Sequence, residues 1–331
     1  EVRKEDGVTR LYIDGKKVNP MLYLRDVSTK FKTSYAESMF GSSVVLLGFP
    51  NTRTDYVNGR SSAWTGPGKY DFSEFDRIIY ETLEGAPEAM IMLMLDADPP
   101  DWWLDANPDE RAEVVDDGGT ITYPGVSYAS EKWRNDVGEF FRALLNHVVS
   151  QPYASHVFGV KLGAGSTYEW QQNGMTLSSN GDYSEAALNA FRKWLVEKYG
   201  TDTALRKAWG NGSVTLQTAQ IPTRAERKSA GYRTLLDGVK QRNVIDYQLF
   251  YSDMTTDSIL YFAEVIKEGC GGKWVVGTYN GYMINSLTYE ANNIVNASFS
   301  RLLSSDFLDF FCAPILYAAR MSGMSAGYMT M

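Results

Sequence analysis

The chain has 331 residues, of which 44% are apolar and 22% charged, and its net charge is −8. These proportions are ordinary for a soluble globular protein with a sizeable core, and the acidic balance argues against binding nucleic acid through its phosphates. No run of about 18 apolar residues occurs, so we expect no membrane-spanning helix.

Cysteine and histidine are scarce. Cys270 and Cys312 could form at most one bridge, and His147 and His156 are the only histidines. No cluster of these residues has the spacing of a zinc site. We therefore expect no cofactor, no bound metal and no disulfide framework. The compartment stays open between secreted, periplasmic and cytoplasmic, because the chain starts at Glu1 without an apolar signal region.

The N-terminal segment predicts a short β-hairpin. Residues Arg10 to Val18 alternate between apolar and polar around Asp14-Gly15, a dipeptide that favours the positive φ angles of a tight hairpin turn. We assign residues 1–20 to this hairpin and residues 21–331 to the domain that follows it.

Six apolar runs further along the chain predict buried strands. They are Met21–Leu24, Val44–Phe49, Ala89–Leu95, Val157–Leu162, Trp274–Tyr279 and Phe307–Ala313. Amphipathic helices are predicted between them. One follows Ser130, a second begins after Ser184 and ends at Gly200, and a third runs from Asn243 to Lys267.

Apolar strands that alternate with helices predict an α/β fold with a parallel sheet. A doubly wound sheet and a (β/α)8 barrel of the TIM type both fit this order. No glycine-rich phosphate loop follows the first strand, which disfavours the nucleotide-binding sheet. Several strands end in polar or aromatic residues, as the catalytic face of a barrel requires. We therefore predict a (β/α)8 barrel that is incomplete, with about six β/α units before Met331 and strands seven and eight beyond it.

Glu169 is the candidate for a proton-donating acid. Hydrolysis of a glycoside needs one carboxylic acid to protonate the leaving oxygen and a carboxylate on the other face of the sugar. Glu169 follows a buried strand and the stretch Gly163-Ala-Gly165, where backbone can approach closely. Its neighbours Tyr168 and Trp170 could desolvate the acid. The alternative is a surface glutamate paired with a lysine or arginine.

Three segments carry a family resemblance. They are Phe191–Thr201 continued through Ala208-Trp-Gly210 to Ile221-Pro222, the segment Gly68–Asp76, and Asp98–Trp102 with Asn107-Pro108. Together they resemble glycoside hydrolase family 42, the β-galactosidases, which belong to a large clan of retaining barrel glycosidases. The resemblance implies a retaining exo-β-galactosidase or a close relative, which cleaves a β-linked sugar from oligosaccharides, with the general acid/base glutamate after strand four. That residue is Glu169.

The chain departs from the family pattern at two places. The family usually has asparagine before its acid/base glutamate, whereas this chain has Tyr168, so the sugar preference stays open. The resemblance also implies a nucleophilic glutamate at the end of strand seven. The acids after strand five are Glu290, in a loop, and Asp306 and Asp309, at the wrong end of strand six. We expect the nucleophile beyond Met331. The alternative is a carbohydrate-binding barrel without catalysis, or an inactive fragment of the enzyme.

Further residues are candidates for binding the substrate, an oligosaccharide or a piece of a polysaccharide. Arg53 could hold the nucleophile or a sugar hydroxyl, or form a surface ion pair. Asp96 and Asp98 could bind hydroxyls or cap the next helical turn. Aromatic residues that could stack on sugars or fill the core are Trp102, Trp103, Tyr168, Trp170, Tyr279 and Tyr282. Tyr317 resembles the clan's tyrosine near the nucleophile. Family members are often oligomeric, which makes a homo-oligomer a further expectation.

Overall fold

The computed structural model describes residues 1–18, 23–25, 44–48, 63–85, 87–165, 168–175, 178–228, 236–279 and 297–312. Its strands are β1 (Val2–Glu5), β2 (Val8–Ile13), β3 (Lys16–Val18), β4 (Tyr23–Arg25), β5 (Val44–Gly48), β6 (Trp64–Gly66), β7 (Lys69–Tyr70), β8 (Met90–Asp96), β9 (Val114–Asp116), β10 (Ile121–Thr122), β11 (Val157–Gly163), β12 (Ser179–Asn180), β13 (Val275–Tyr279) and β14 (Phe310–Cys312).

The helices of the same residues include every one that the sequence predicts. They are α1 (Ser73–Gly85), α2 (Asp101–Ala106), α3 (Glu131–Ser150), α4 (Glu185–Tyr199), α5 (Asp202–Trp209), α6 (Arg224–Lys228), α7 (Arg242–Gly269) and α8 (Phe299–Leu303), with 3₁₀ turns at Pro108–Glu110 and Pro152–His156. Ser130 and Ser184 cap α3 and α4 by accepting hydrogen bonds from backbone N–H groups in the first turn. Gly200 ends α4 with a φ of 67°.

The central element is a parallel sheet of six strands, in the order β14-β13-β11-β8-β5-β4. Each predicted apolar run supplies one of these strands, so neighbours in the sheet follow each other along the chain. That succession is the one found in the wall of a (β/α)8 barrel. The described strands form an open arc of such a wall.

The two faces of the sheet carry different side chains because successive residues of a strand point to opposite sides. On the outer face Ile91, Leu93, Leu95, Val160 and Leu162 join the large core beneath the helices. A second, smaller cluster lies on the other side, which we call the inner face. It consists of Met92, Met94, Phe158 and Val275, with Phe310 packed against it.

The N-terminal residues form a three-stranded antiparallel sheet, β1-β2-β3, which has one strand more than the predicted hairpin. Strand β1 pairs Val2 with Leu11. Its sequence Val-Arg-Lys-Glu contains one apolar residue, too few for an alternating pattern to indicate a strand. Four side chains of this sheet pack against the inner-face cluster, namely Val2, Leu11, Ile13 and Val18.

A small antiparallel sheet joins two of the loops that follow parallel strands. Strands β9 and β10 lie in the loop after β8, and β12 lies in the loop after β11; the pairing order is β10-β9-β12. Ser179 is in register with Asp116, and Asn180 with Val115. The two loops are thereby fixed to each other on the side where β8 and β11 end.

The segment Phe191–Gly210, which resembles family 42 most clearly, surrounds one buried carboxylate. Asp246 of α7 is fully buried and accepts hydrogen bonds from Tyr199 Oη at 2.6 Å, Trp209 Nε1 at 2.8 Å and Lys198 Nζ at 2.9 Å. Arg242 adds an ion pair at 3.1 Å. The aromatic and basic residues of this segment therefore join α4 and α5 to α7.

Replacing Asp246 with alanine should cost about 1.5–3 kcal/mol of unfolding free energy, because a buried carboxylate that accepts three hydrogen bonds and pairs with Arg242 would be lost. Urea unfolding followed by circular dichroism measures this. The matched control is Asp257→Ala, whose pair with Arg301 joins two half-exposed side chains and should contribute at most about 1 kcal/mol. Equal effects of the two substitutions would contradict the importance assigned to Asp246.

Candidate active site

Glu169 lies in a tight turn directly after β11. The turn is closed by two backbone hydrogen bonds, from Tyr168 N to Gly165 O at 3.2 Å and from Trp170 N to Ala164 O at 2.8 Å. Tyr168 and Trp170, on either side of Glu169, have φ angles of 63° and 61°. Left-handed conformations of this kind cost non-glycine residues about 1–3 kcal/mol each and are frequent at functional sites.

Two glycines make this turn possible. A Cβ atom on Gly163 would lie 2.5 Å from Tyr168 O, and one on Gly165 would lie 2.1 Å from Gln171 O and 2.5 Å from Tyr128 Oη. Gly165 also has a φ of 73°. The close backbone approach predicted at these glycines is confirmed by the structure.

Trp103 and Trp170 lie in the core. Their exposed fractions are 1% and 0%, and their indole N–H groups donate to Asp136 and Thr278 at 2.8 Å. Neither ring offers a face to a sugar, so the structure contradicts a stacking role for these two and supports the core alternative. Trp102 is half-buried, and its Nε1 donates to Trp64 O at 2.8 Å.

Asp96 and Asp98 are both buried, each 3% exposed, at the end of β8. Asp96 Oδ1 accepts from the backbone N–H of Asp98 at 2.9 Å, and Asp98 Oδ2 accepts from Asn173 Nδ2 at 3.1 Å. Neither caps α2, whose N-cap residue is Pro100 and has no side-chain hydrogen bond. Burial and the charges of these aspartates hold the pKa of Tyr128 well above its ordinary value.

The strand register places candidate residues of different strands at one edge of the sheet. Asp96 at the end of β8 pairs with Gly163 at the end of β11. Leu162 of β11 pairs with Thr278 of β13. The next residue of β13, Tyr279, pairs with Cys312 of β14. Since parallel strands end at the same edge, the ends of β8, β11 and β13 lie side by side, and we call this the carboxyl edge. Catalytic residues of (β/α)8 barrels lie at this edge.

Lys161 is a residue that the sequence analysis did not single out. It lies on β11 within the inner face and is 5% exposed. Its Nζ lies 3.6 Å from the centroid of the Tyr279 ring, and 3.9 Å from Met94 Sδ. Burial lowers the pKa of Lys161 to about 8, while the charges of Cys312 and Glu169 act in the opposite direction. Its sequence signal was a charged residue inside an apolar strand.

The remaining candidates divide by location. Asp309 lies just before β14, the outermost strand of the parallel sheet. It accepts hydrogen bonds from Lys267 Nζ at 2.6 Å and from Val276 N at 2.7 Å, and so it joins the start of β14 to β13 and α7. Arg53, Tyr282, Glu290 and Tyr317 lie outside the described residues.

Within the part of the chain that is described, no cluster of three or more His, Cys, Asp or Glu side chains could hold a metal. Among those same residues, no helix has the length and apolar character needed to cross a membrane.

Comparison with known proteins places the chain in a family. The family model of glycoside hydrolase family 42, described as beta-galactosidase, matches residues 56–297, well over half of the chain. The chain belongs to glycoside hydrolase family 42. The family 42 match includes β8, β11, β13 and the turn that carries Glu169.

Individual relatives agree with the family 42 assignment. Beta-galactosidase BbgII of Bifidobacterium bifidum is 29% identical over 201 residues, which are 60% of this chain and 26% of that protein. The solved beta-galactosidase of Halorubrum lacusprofundi has a TM-score of 0.56 at 19% identity and covers 80% of this chain and 36% of its own. The catalytic domain of beta-amylase from Paenibacillus polymyxa has a TM-score of 0.65 at 15% identity, over 88% of this chain and 75% of its own.

These comparisons show the fold and its extent. The prediction of an incomplete (β/α)8-type fold is confirmed by the open sheet and by these structural neighbours. The chain spans only about a quarter to a third of the length of the two β-galactosidases it matches.

The tight turn predicts that Gly165→Ala displaces Glu169. The left-handed backbone alone costs alanine about 1–2 kcal/mol, and the contact with Gln171 O adds to that. We expect a lower melting temperature and altered amide chemical shifts for residues 163–171. Gly212→Ala is the control, since a Cβ there meets nothing within 4 Å; a surface change of this kind stays within about 0.5 kcal/mol. A Gly165→Ala protein with unchanged shifts would contradict the description of the turn.

Burial of Lys161 predicts a pH-dependent destabilisation. The ordinary pKa of 10.5 applies in the unfolded chain and about 8 in the folded chain. Between these values the unfolded chain holds more protons, so stability rises with pH, and below pH 8 the full cost is present. Lys161→Met should therefore stabilise the fold at pH 7 by on the order of 3 kcal/mol.

The measurement is the difference in unfolding free energy between wild type and Lys161→Met at pH 7, 8, 9 and 10. We expect this difference to shrink as the pH rises. A difference that is independent of pH would mean that Lys161 keeps its ordinary pKa in the fold.

Proposed function

We propose that this chain carries the general acid/base of a retaining glycoside hydrolase that removes a terminal β-linked galactose, or a closely related sugar, from oligosaccharides. The observation that carries the proposal is the position of Glu169. It lies in a strained turn after the fourth strand of the parallel sheet, at the carboxyl edge, in a chain of family 42. Residues held in such conformations are typical of sites whose geometry matters for chemistry.

Glu169 acts twice in this mechanism. In the first step its carboxylic acid donates a proton to the glycosidic oxygen while a second carboxylate attacks the anomeric carbon, and a covalent glycosyl-enzyme intermediate forms. In the second step the Glu169 carboxylate takes a proton from water, which attacks the same carbon and releases the sugar. We place the second carboxylate on strand seven of the whole protein, beyond Met331.

Other residues at the carboxyl edge are candidates for binding the sugar. Asp96 is buried beside β11, so its carboxylate could accept hydrogen bonds from hydroxyls in a site with little water. Tyr168 and Tyr279 are half-buried and are the aromatic candidates next to Glu169 and Lys161. Aromatic rings in such positions cover the apolar faces of sugars.

The decisive test is Glu169→Gln in the full-length protein. Without the acid, hydrolysis of an unactivated β-galactoside should fall by about 10²–10⁴-fold, the usual contribution of general acid catalysis. An aryl galactoside with a good leaving group should still form the covalent intermediate, because its departure needs no proton. Stopped-flow release of the aryl group, together with steady-state hydrolysis of an oligosaccharide, measures both steps.

Glu84→Gln is the matched control, since Glu84 is an exposed carboxylate on α1. It should leave both rates unchanged. Equal losses on activated and unactivated substrates in Glu169→Gln would remove Glu169 from the acid role. The anomeric configuration of the first product, followed by NMR, distinguishes a retaining from an inverting enzyme.

A second function, carbohydrate binding without hydrolysis, is favoured by Tyr168. Its side chain packs against the inner-face cluster, where it takes up room beside Glu169. Calorimetric titration with galactose and β-galactosides, run beside the hydrolysis assay, separates the two. Binding by a full-length protein that hydrolyses none of the activated substrates would support the binding function.

A further inference from the structure

Trp170 fixes the chain immediately after Glu169 in the core of the protein. Its side chain is fully buried, and its backbone N–H donates to Ala164 O at 2.8 Å. Its φ of 61° lies in the left-handed region, which a non-glycine residue keeps only where its surroundings hold it. The orientation of the half-buried Glu169 is therefore set in part by the contacts that hold the Trp170 ring.

Thr278 of β13 is the polar partner of that ring. Thr278 is also fully buried, and its hydroxyl accepts a hydrogen bond from Trp170 Nε1 at 2.8 Å. The same hydroxyl has one proton to donate, and Leu162 O on β11 lies 3.1 Å from it, with Tyr279 O at 3.3 Å. When the proton goes to a carbonyl oxygen, a lone pair is left to face the indole. One hydroxyl thus joins the Glu169 turn to β11 and to β13.

The Trp170 ring also packs against aromatic residues. It meets the Tyr128 ring edge-on at a centroid distance of 5.9 Å, and Tyr128 stacks on Trp133 at 5.3 Å. Contacts between rings fill space and tolerate small rotations, whereas a hydrogen bond requires a donor and an acceptor at a defined distance and angle. The hydroxyl of Thr278 is therefore the contact that selects one orientation of the ring.

We propose that Thr278 is a positioning residue for Glu169: its hydroxyl orients Trp170, and Trp170 sets the backbone from which Glu169 reaches the glycosidic oxygen. The proposal rests on the role proposed for Glu169. A general acid must lie within hydrogen-bond distance of the oxygen that it protonates, and a displacement of about 1 Å at a reacting group costs roughly 10²-fold in rate. Because Thr278 is fully buried, it acts only through Trp170.

Thr278→Val removes the hydroxyl while keeping a β-branched side chain of similar size, which a buried strand favours. The indole N–H of Trp170 would then be buried without its acceptor, a state that costs free energy until the donor finds another partner. We expect the ring to turn, and the left-handed residue that carries it to move as well. Glu169 is the preceding residue, so its carboxyl group moves away from the leaving oxygen.

The test compares two reactions of the full-length protein, steady-state hydrolysis of an unactivated β-galactoside and first-turnover release of an aryl group that departs without a proton. Thr278→Val should lower hydrolysis of the unactivated substrate about tenfold, less than a full displacement of about 1 Å would cost. Aryl release should stay nearly unchanged, because that step needs no acid. Thr278→Ser keeps the hydroxyl and should restore most of the hydrolysis rate.

Trp170→Phe removes the donor instead of the acceptor and should give the same substrate-dependent loss. The double variant Thr278→Val/Trp170→Phe should lose no more than either single variant, since both break the same hydrogen bond. The matched control is Trp103→Phe, which removes a buried indole N–H that donates to Asp136 at 2.8 Å but lies outside the turn. It should leave the ratio of the two rates unchanged.

Equal losses of the two rates in Thr278→Val, or a loss that Thr278→Ser does not restore, would overturn the proposal and assign Thr278 to stability alone. Circular dichroism and the melting temperature establish that each variant is folded. If Thr278→Val does not fold, Trp170→Phe decides in its place: a selective loss on the unactivated substrate supports the proposal, and equal losses overturn it.

The acid role of Glu169 can fail separately, because Glu169→Gln is measured beside these variants. If Glu169→Gln selectively loses the unactivated substrate while Thr278→Val and Trp170→Phe do not, the acid role stands and the positioning role of Thr278 is wrong. If Glu169→Gln shows no selective loss, the acid role is wrong. The amide chemical shifts of Tyr168 and Glu169 then decide whether Thr278 fixes the turn, and unchanged shifts in Thr278→Val would show that it does not.

Discussion

Parallel, in-register pairing of β8, β11 and β13 is the constraint on which the candidate site depends. Because these strands run in the same direction, Asp96, the Glu169 turn and Tyr279 reach one edge although they are far apart in sequence. The pairing also sorts side chains between two faces, so that leucines and valines meet the helices while Met94 and Lys161 face inward. A slip of one residue in β11 would exchange those faces and move Lys161 away from the ring of Tyr279.

Much of the fold could be predicted because its signals are local. Each parallel strand is a short apolar run, α3 and α4 begin at serine caps, and α4 ends at Gly200. What sequence could not give is the direction of individual side chains. A register irregularity between Val157 and Gly159 breaks the simple alternation in β11, so Lys161 could not be assigned to a face. Burial of Trp103 and Trp170 depends on contacts with residues up to 108 positions away.

The features that reveal the family and those proposed for the chemistry are physically separate. The segment with the clearest resemblance, Phe191–Gly210, is organised around Asp246 in the helical layer. The proposed chemistry belongs to Glu169, in the turn after β11. Resemblance in the helical layer concerns residues that join α4 and α5 to α7, whereas Tyr168, where the chain departs from the family pattern, lies in the turn after β11. This separation explains why the family could be recognised while the preferred sugar could not.

The N-terminal three-stranded sheet has a consequence for the stability of the inner face. Val2, Leu11, Ile13 and Val18 lie against the inner-face cluster, and Ile13 lies beside Met90 and Val157, where β8 and β11 begin. Apolar side chains of the inner face are therefore kept from water at the end opposite the carboxyl edge. Truncation of residues 1–18 would expose Met92, Phe158 and Val275 to solvent, so this small sheet acts as a cover for the barrel interior.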